Sequence, residues 1–194
     1  MAFFSQSEAR VVPGSAPGAL PEESALVRSC VDGDGRAFEE LVRRHTSRVF
    51  NYVFQMTRHR QDAEDICQQT FIKAYRNIDR VDPDRPIIGW LLTIARRTAI
   101  NHFRSAKAWT ELPEDTASTE TSPARQVENL ERAGNLWEKA RQILAPRDFE
   151  VLWLRIAEEF SVEETARVTG LTQTHVKVLV YRARQQLMKG ETTA

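Results

Sequence analysis

The sequence predicts an all-α protein made of two small helical domains joined by a flexible acidic linker, the second domain carrying a helix-turn-helix. Apolar residues recur at helical spacing along most of the 194 residues, and no alternating strand pattern interrupts them. Between Trp109 and about Val127 that periodicity stops, and Pro, Ser, Thr and Glu take over. Charge is also segregated, although 27 basic and 27 acidic residues cancel overall. Two acid-free basic segments, Arg85 to Lys107 and Thr172 to Gly190, flank an acidic stretch from Glu111 to Glu131.

Residues 1–21 contain "VVPGSAPGALP" and read as a disordered extension. The first domain is expected over 22–107. A short helix from Glu22 to Val31 gives way to a turn at "DGDG", residues 32 to 35; Phe38, Leu41, Val42, Val49, Val53 and Met56 then mark the inner face of a long helix. The next helix, "DAEDICQQTFIKAYR" at 62 to 76, has Asp62, Glu64 and Asp65 in its first turn, where carboxylates favour the helix dipole. After the loop "DPDRP", a helix from Ile88 to Ser105 carries a broad stripe of Leu91, Leu92, Ile94, Ala95, Ala99, Ile100 and Phe103, with Trp90 expected in the core beside it. The linker is expected over 108–129 and the second domain over 130–190, broken at Pro146 and again at Phe160-Ser161.

Several classes of function are disfavoured by the same residues. The longest apolar run, "IIGWLLTIA", is far shorter than the roughly 20 residues of a membrane span, so no membrane insertion is expected. "MAFFSQSEAR" breaks into polar residues too early for a signal peptide, which suggests a cytoplasmic chain. Cys30 and Cys67 stand far apart and read as reduced, partly buried thiols. His45, His59, His102 and His175 form no metal-binding spacing, no Gly-rich phosphate loop is present, and no nucleophile has a recognisable base. Neither a metal, a cofactor, a catalytic residue nor a small-molecule substrate is therefore expected.

Two surfaces stand out instead. On the helix over 62–76, Ala63, Ile66, Cys67, Thr70 and Ala74 share one side, while Ile72 lies opposite with Asp65, Gln68 and Gln69. A solvated face with one stray isoleucine is common, and the pattern equally suits the centre of a small polar interface. In "SVEETARVTGLTQTHVKVLVYRARQQL", residues 161 to 187, Ser161 and Glu164 have capping-box spacing and Gly170 falls where a tight interhelical turn needs a residue without a Cβ. Ala166, Gly170 and Val176 have the spacing of a helix-turn-helix, in which the second helix enters the major groove. Its buried row should be Val176, Leu179 or Val180, Ala183 and Leu187. That leaves Lys177, Arg182 and Arg184 for phosphates, Gln173, Thr174 and His175 for base edges, and Val178 and Tyr181 for thymine methyls or sugar.

Together, "DAEDICQQTFIKAYR", "RPIIGWLLTIARRTAINHFR" and the terminal helix-turn-helix resemble the extracytoplasmic-function, or group IV, sigma factors of bacterial RNA polymerase. The resemblance covers residues 36–107 and 130–188. It implies a promoter-specificity subunit that partners core RNA polymerase and promoter DNA, commonly with an anti-sigma factor that blocks those surfaces. It implies further that Asp62, Asp65, Gln68, Gln69 and Ile72 dock on the clamp helices of the polymerase's largest subunit. The minus-ten element would fall to Asp79, Arg80 and Val81 in the loop that holds a flipped base, and to Arg96, Arg97, Asn101 and Arg104 along the strand path. The minus-35 element would fall to the helix after Gly170, and the acidic linker would thread the polymerase's basic interior.

Departures from the family pattern are specific. Arg97 stands where Asn is usual and Asn101 where Asp is usual, while "GTVKSRL" becomes "THVKVLV", placing His175, Val178 and Leu179 in the recognition helix. An unusual upstream element or weaker binding is expected in consequence. The competing reading is a free-standing helix-turn-helix regulator that binds operator DNA without polymerase, although no dimerisation segment is visible and the stripe around Ile72 would then have no use.

Overall fold

Helix α1, Leu20–Val31, leads into the expected turn, where Gly33 adopts φ +92°, a conformation that costs a side-chain-bearing residue far more than glycine. Asp34 then caps α2, Gly35–Thr57, its Oδ1 accepting the N–H groups of Arg36 at 2.9 Å and Ala37 at 3.4 Å. Arg58 closes α2 in the left-handed region at φ 56° and donates its N–H to the Phe54 carbonyl. Only one further residue separates it from α3, Arg60–Arg76. A 3-10 turn at Ile78–Arg80 and a polar loop precede α4, Ile87–Thr110. The computed structural model describes residues 20–110 and 128–191, and among these it is helical with no strand.

Two compact units divide between Ala99 and Ile100, within α4. In the first, α1 and α3 both pack on α2. Val27, Leu41, Val49, Val53, Ala63, Leu91, Leu92, Ala95 and Ala99 are wholly removed from solvent, which is what the helical spacing requires of an inner face. Lys73 Nζ donates to Thr98 Oγ1 at 3.0 Å and so ties α3 to α4.

The second unit holds α5, Glu128–Ile143, α6, Pro146–Ile156, α7, Val162–Thr169, and α8, Gln173–Glu191, with the first three packed on α8. Pro146 opens α6 at a position whose N–H needs no partner. Ala140, Leu144, Phe149, Leu152 and Ala183 form one cluster, with Trp137 and Trp153 packed against it; Val151, Ala166, Val176 and Leu179 form another. The break expected at Phe160-Ser161 is the turn between α6 and α7, where Glu159 takes φ 56° and Arg155 donates to the Phe160 carbonyl.

Four expectations need correction. Residues 20 and 21 belong to α1 rather than to the extension, and α4 and α5 reach into the span assigned to the linker, ending at Thr110 and beginning at Glu128. The rest of the expected extension and linker lies outside the described residues. Helix α3 starts at Arg60, not Asp62, because His59 caps it: its Nδ1 accepts the Asp62 N–H at 3.3 Å. Ile100 and Phe103, expected in the core stripe of α4, are 41% and 40% exposed, Ala99 being the last buried side chain of that helix among the described residues.

Both cysteines are buried, as the sequence suggested. Burial pushes the Cys67 thiol up to about 12 and raises that of Cys30, where the Asp34 charge adds to the effect. Neither thiol should react with iodoacetamide in the folded chain at pH 8, whereas both should label in denaturant; equal labelling rates in the two states would contradict this burial. The ordinary value for Cys67 is 9.0, so above that pH the unfolded chain has lost a proton the folded chain retains. Stability should therefore fall as pH rises past about 9.

Candidate functional site

On α3 the inner face is Ala63, Ile66, Cys67, Thr70, Phe71 and Ala74, all buried. Asp65, Gln68 and Gln69 are exposed on the other side, and Ile72 among them is 46% exposed. Tyr75 continues the stripe at 58% exposure, its ring edge set against Phe38 of α2 with centroids 5.0 Å apart. Asp62 differs from the rest: it is half-buried at the helix start, its N–H held by His59. The Asp62 carboxylate lies 3.5 Å from the same His59 Nδ1.

A second surface begins at the 3-10 turn. Asp79 and Arg80 are exposed and Val81 is half-buried, its N–H closing the turn on Ile78. The following loop is braced by its own charges: Asp82 accepts from the Asp84 N–H and pairs with Arg85 at 3.0 Å, while Arg28 of α1 reaches Asp84 at 2.7 Å. Along α4, Arg97, Asn101 and Arg104 are exposed on one side, and Arg104 Nη2 donates to Asn101 Oδ1 at 2.9 Å, whereas Arg96 is half-buried. Ile100 and Phe103 of the same helix are also exposed. Trp90 is half-buried beside Leu91 and Leu92, which are fully buried.

The third surface is α8. Ser161 and Glu164 form the capping box that starts α7, Ser161 Oγ accepting the Glu164 N–H at 3.1 Å and Glu164 accepting the Ser161 N–H at 2.7 Å. Gly170 takes φ 71° and lets the chain turn into Leu171, whose N–H returns to the Ala166 carbonyl. Thr172 Oγ1 then accepts the His175 N–H at 3.2 Å and starts α8. Val176, Leu179 and Ala183 are buried, Val180 and Leu187 partly so, and Gln173, Thr174, His175, Lys177, Val178, Tyr181 and Arg184 are exposed. Ser161→Ala should lower the stability of this unit by about 1 kcal/mol, measurable by thermal unfolding; a melting curve identical to the parent's would mean the cap contributes nothing.

Arg182, also exposed on α8, has a partner across the unit. Its Nε and Nη2 grip Asp148 Oδ2 and Oδ1 at 2.8 and 2.5 Å, and Asp148, in the first turn of α6, is only 1% exposed. That bond raises the guanidinium pKa above its already high value. A buried carboxylate needs such a partner more than solvent-bathed phosphates need another cation. The fork holds α8 to α6 while the Arg182 side chain keeps 52% of its exposure.

Comparison with known proteins bears on all three surfaces. Residues 41–109 match the family Sigma-70 region 2, and residues 137–187 match Sigma-70, region 4. The RNA polymerase sigma factor YlaC of Bacillus subtilis is 31% identical over 160 residues, covering 80% of this chain and 92% of the relative. The ECF RNA polymerase sigma factor BldN of Streptomyces coelicolor is 33% identical, covering 84% of this chain and 64% of the relative. The chain belongs to the extracytoplasmic-function sigma factors. A solved structure of CnrH in complex with the cytosolic domain of CnrY shares the fold at a TM-score of 0.63 and 25% identity, covering 88% of this chain and 97% of that one. As a sigma factor the protein serves transcription initiation, and the free-standing regulator is not favoured, because both sigma regions match in order.

Parts of this sigma factor were invisible to sequence reasoning. Asp148 reads as an ordinary first-turn acid, and nothing in its neighbours announces that Arg182, far along the chain, will close on it. Tyr75 follows Ile72 by one helical turn and that spacing was a usable signal, but Tyr is equally at home half-buried. No helix among the described residues is long and apolar enough to cross a membrane.

Proposed function

We propose that α3 is the surface by which this sigma factor mounts on core RNA polymerase, with Asp65, Gln68, Gln69 and Ile72 at its centre, Tyr75 extending it and Asp62 supporting the helix start. The 3-10 turn and α4 then take the minus-ten element, with Asp79, Arg80 and Val81 at the captured base and Arg96, Arg97, Asn101 and Arg104 along the strand. The exposed face of α8 takes the minus-35 element through Gln173, Thr174, His175, Lys177, Val178, Tyr181 and Arg184, oriented by Arg182. In domain terms, residues 22–107 act as the polymerase and minus-ten domain and 130–190 as the minus-35 domain, with the acidic segment between them following the polymerase's basic interior. The observation that carries this is Ile72, an isoleucine 46% exposed amid two amides and a carboxylate on a helix whose other face is already buried.

The protein carries no catalytic chemistry of its own and acts in the cytoplasm, where the polymerase is. An anti-sigma partner is part of this reading: CnrH was solved in complex with the cytosolic domain of CnrY, and the sigma factor RpoE of Bartonella quintana, which shares the fold, with the anti-sigma factor NepR. Run-off transcription with purified core polymerase on genomic fragments tests the reading. Discrete transcripts that need both the chain and the core are expected, and no gain over core alone would refute it.

A further inference from the structure

The outermost row of α8 carries two large exposed hydrophobic side chains, Val178 and Tyr181, at its centre, between Thr174 and Gln185. Turning about 3.6 residues per turn, the row opposite the buried Val176, Leu179 and Ala183 runs Thr174, Val178, Tyr181 and Gln185. Val178 is 53% exposed and Tyr181 67% exposed. Lys177 and Arg184 lie to one side of that row, and no acid occurs from Thr172 to Gly190, so the charge suits a polyanion rather than an apolar protein groove. Arg182, one of two arginines on this helix, directs its fork of donors to buried Asp148.

We propose that this helix reads its upstream element largely by apolar contact, Val178 and Tyr181 packing against the C5-methyl groups of thymines in the major groove. The inference rests on α8 being the promoter-binding helix and adds the chemical feature it selects. Thymine is the base that adds a methyl group to the major groove beside its O4 acceptor, so a face built of Val178 and the Tyr181 ring discriminates by burying methyls. The flanking cations hold the helix to the backbone without choosing sequence.

Holoenzyme reconstituted with core polymerase would select upstream elements from a randomised duplex library, and each thymine of the best duplex would then be replaced by deoxyuridine, which removes only the methyl. Replacement at one or two positions should weaken binding about fourfold each, the worth of one buried methyl. In Val178→Ala or Tyr181→Ala holoenzyme the corresponding replacement should make little further difference, while the slope of affinity against salt stays at the parent's value. Binding by the parent that is indifferent to every methyl would overturn the inference and leave the promoter-binding role of α8 standing. Failure to enrich any upstream element would overturn both.

Discussion

A chain carrying Gln68→Ala and Ile72→Glu is expected to fail to co-purify with core RNA polymerase while keeping its helical content and melting temperature. Both side chains are exposed, so substituting them leaves the core of the first unit untouched; surface changes of this kind are usually worth within about 0.5 kcal/mol of stability. In the docked state the balance is different. A glutamate at the centre of a small interface must be desolvated without a partner, on the order of 3 kcal/mol, which weakens binding about a hundredfold. Gel filtration of the mixture with core polymerase reads the outcome. Co-elution at the parent's affinity would remove the proposed role of this face, whereas loss of helicity would show that the side chains support the fold instead.

Arg182→Ala should lower the melting temperature of the second unit by on the order of 10 °C, because it strands the Asp148 carboxylate, 1% exposed, without the two bonds that hold it. Asp148→Asn should cost less, since a neutral amide can still accept from the guanidinium. Replacing both at once, Asp148→Leu with Arg182→Met, should recover much of the loss, because the buried position then holds an apolar side chain in place of an unpaired carboxylate. Thermal unfolding of the four proteins decides it. A single Arg182→Ala variant that melts with the parent would mean the fork contributes little.

The contrast between these two sites explains how far the sequence could be read. The stripe around Ile72 was legible because it depends only on helical periodicity within 15 or so residues, and every exposed member, Asp65, Gln68, Gln69 and Ile72, is found outward. The capping box at Ser161 and the turn at Gly170 were legible for the same reason: local chemistry has one local solution. What failed was anything set by distant parts of the chain. Arg182 and Asp148 meet across 34 residues, and Ile100 and Phe103 are exposed beyond Ala99, the last buried side chain of α4 among the described residues. A periodic apolar stripe says which face of a helix can be buried, and how far along the helix that burial extends depends on the partners.

The measurement that bears most directly on the whole account is target selection by the purified chain with and without core polymerase, on one randomised duplex library at fixed salt. Two promoter-contacting surfaces that depend on being mounted on the enzyme predict that sequences emerge only when core is present, with an upstream and a downstream element at a constant spacing. Enrichment of the same sequences by the chain alone, unaffected by adding core, would contradict it.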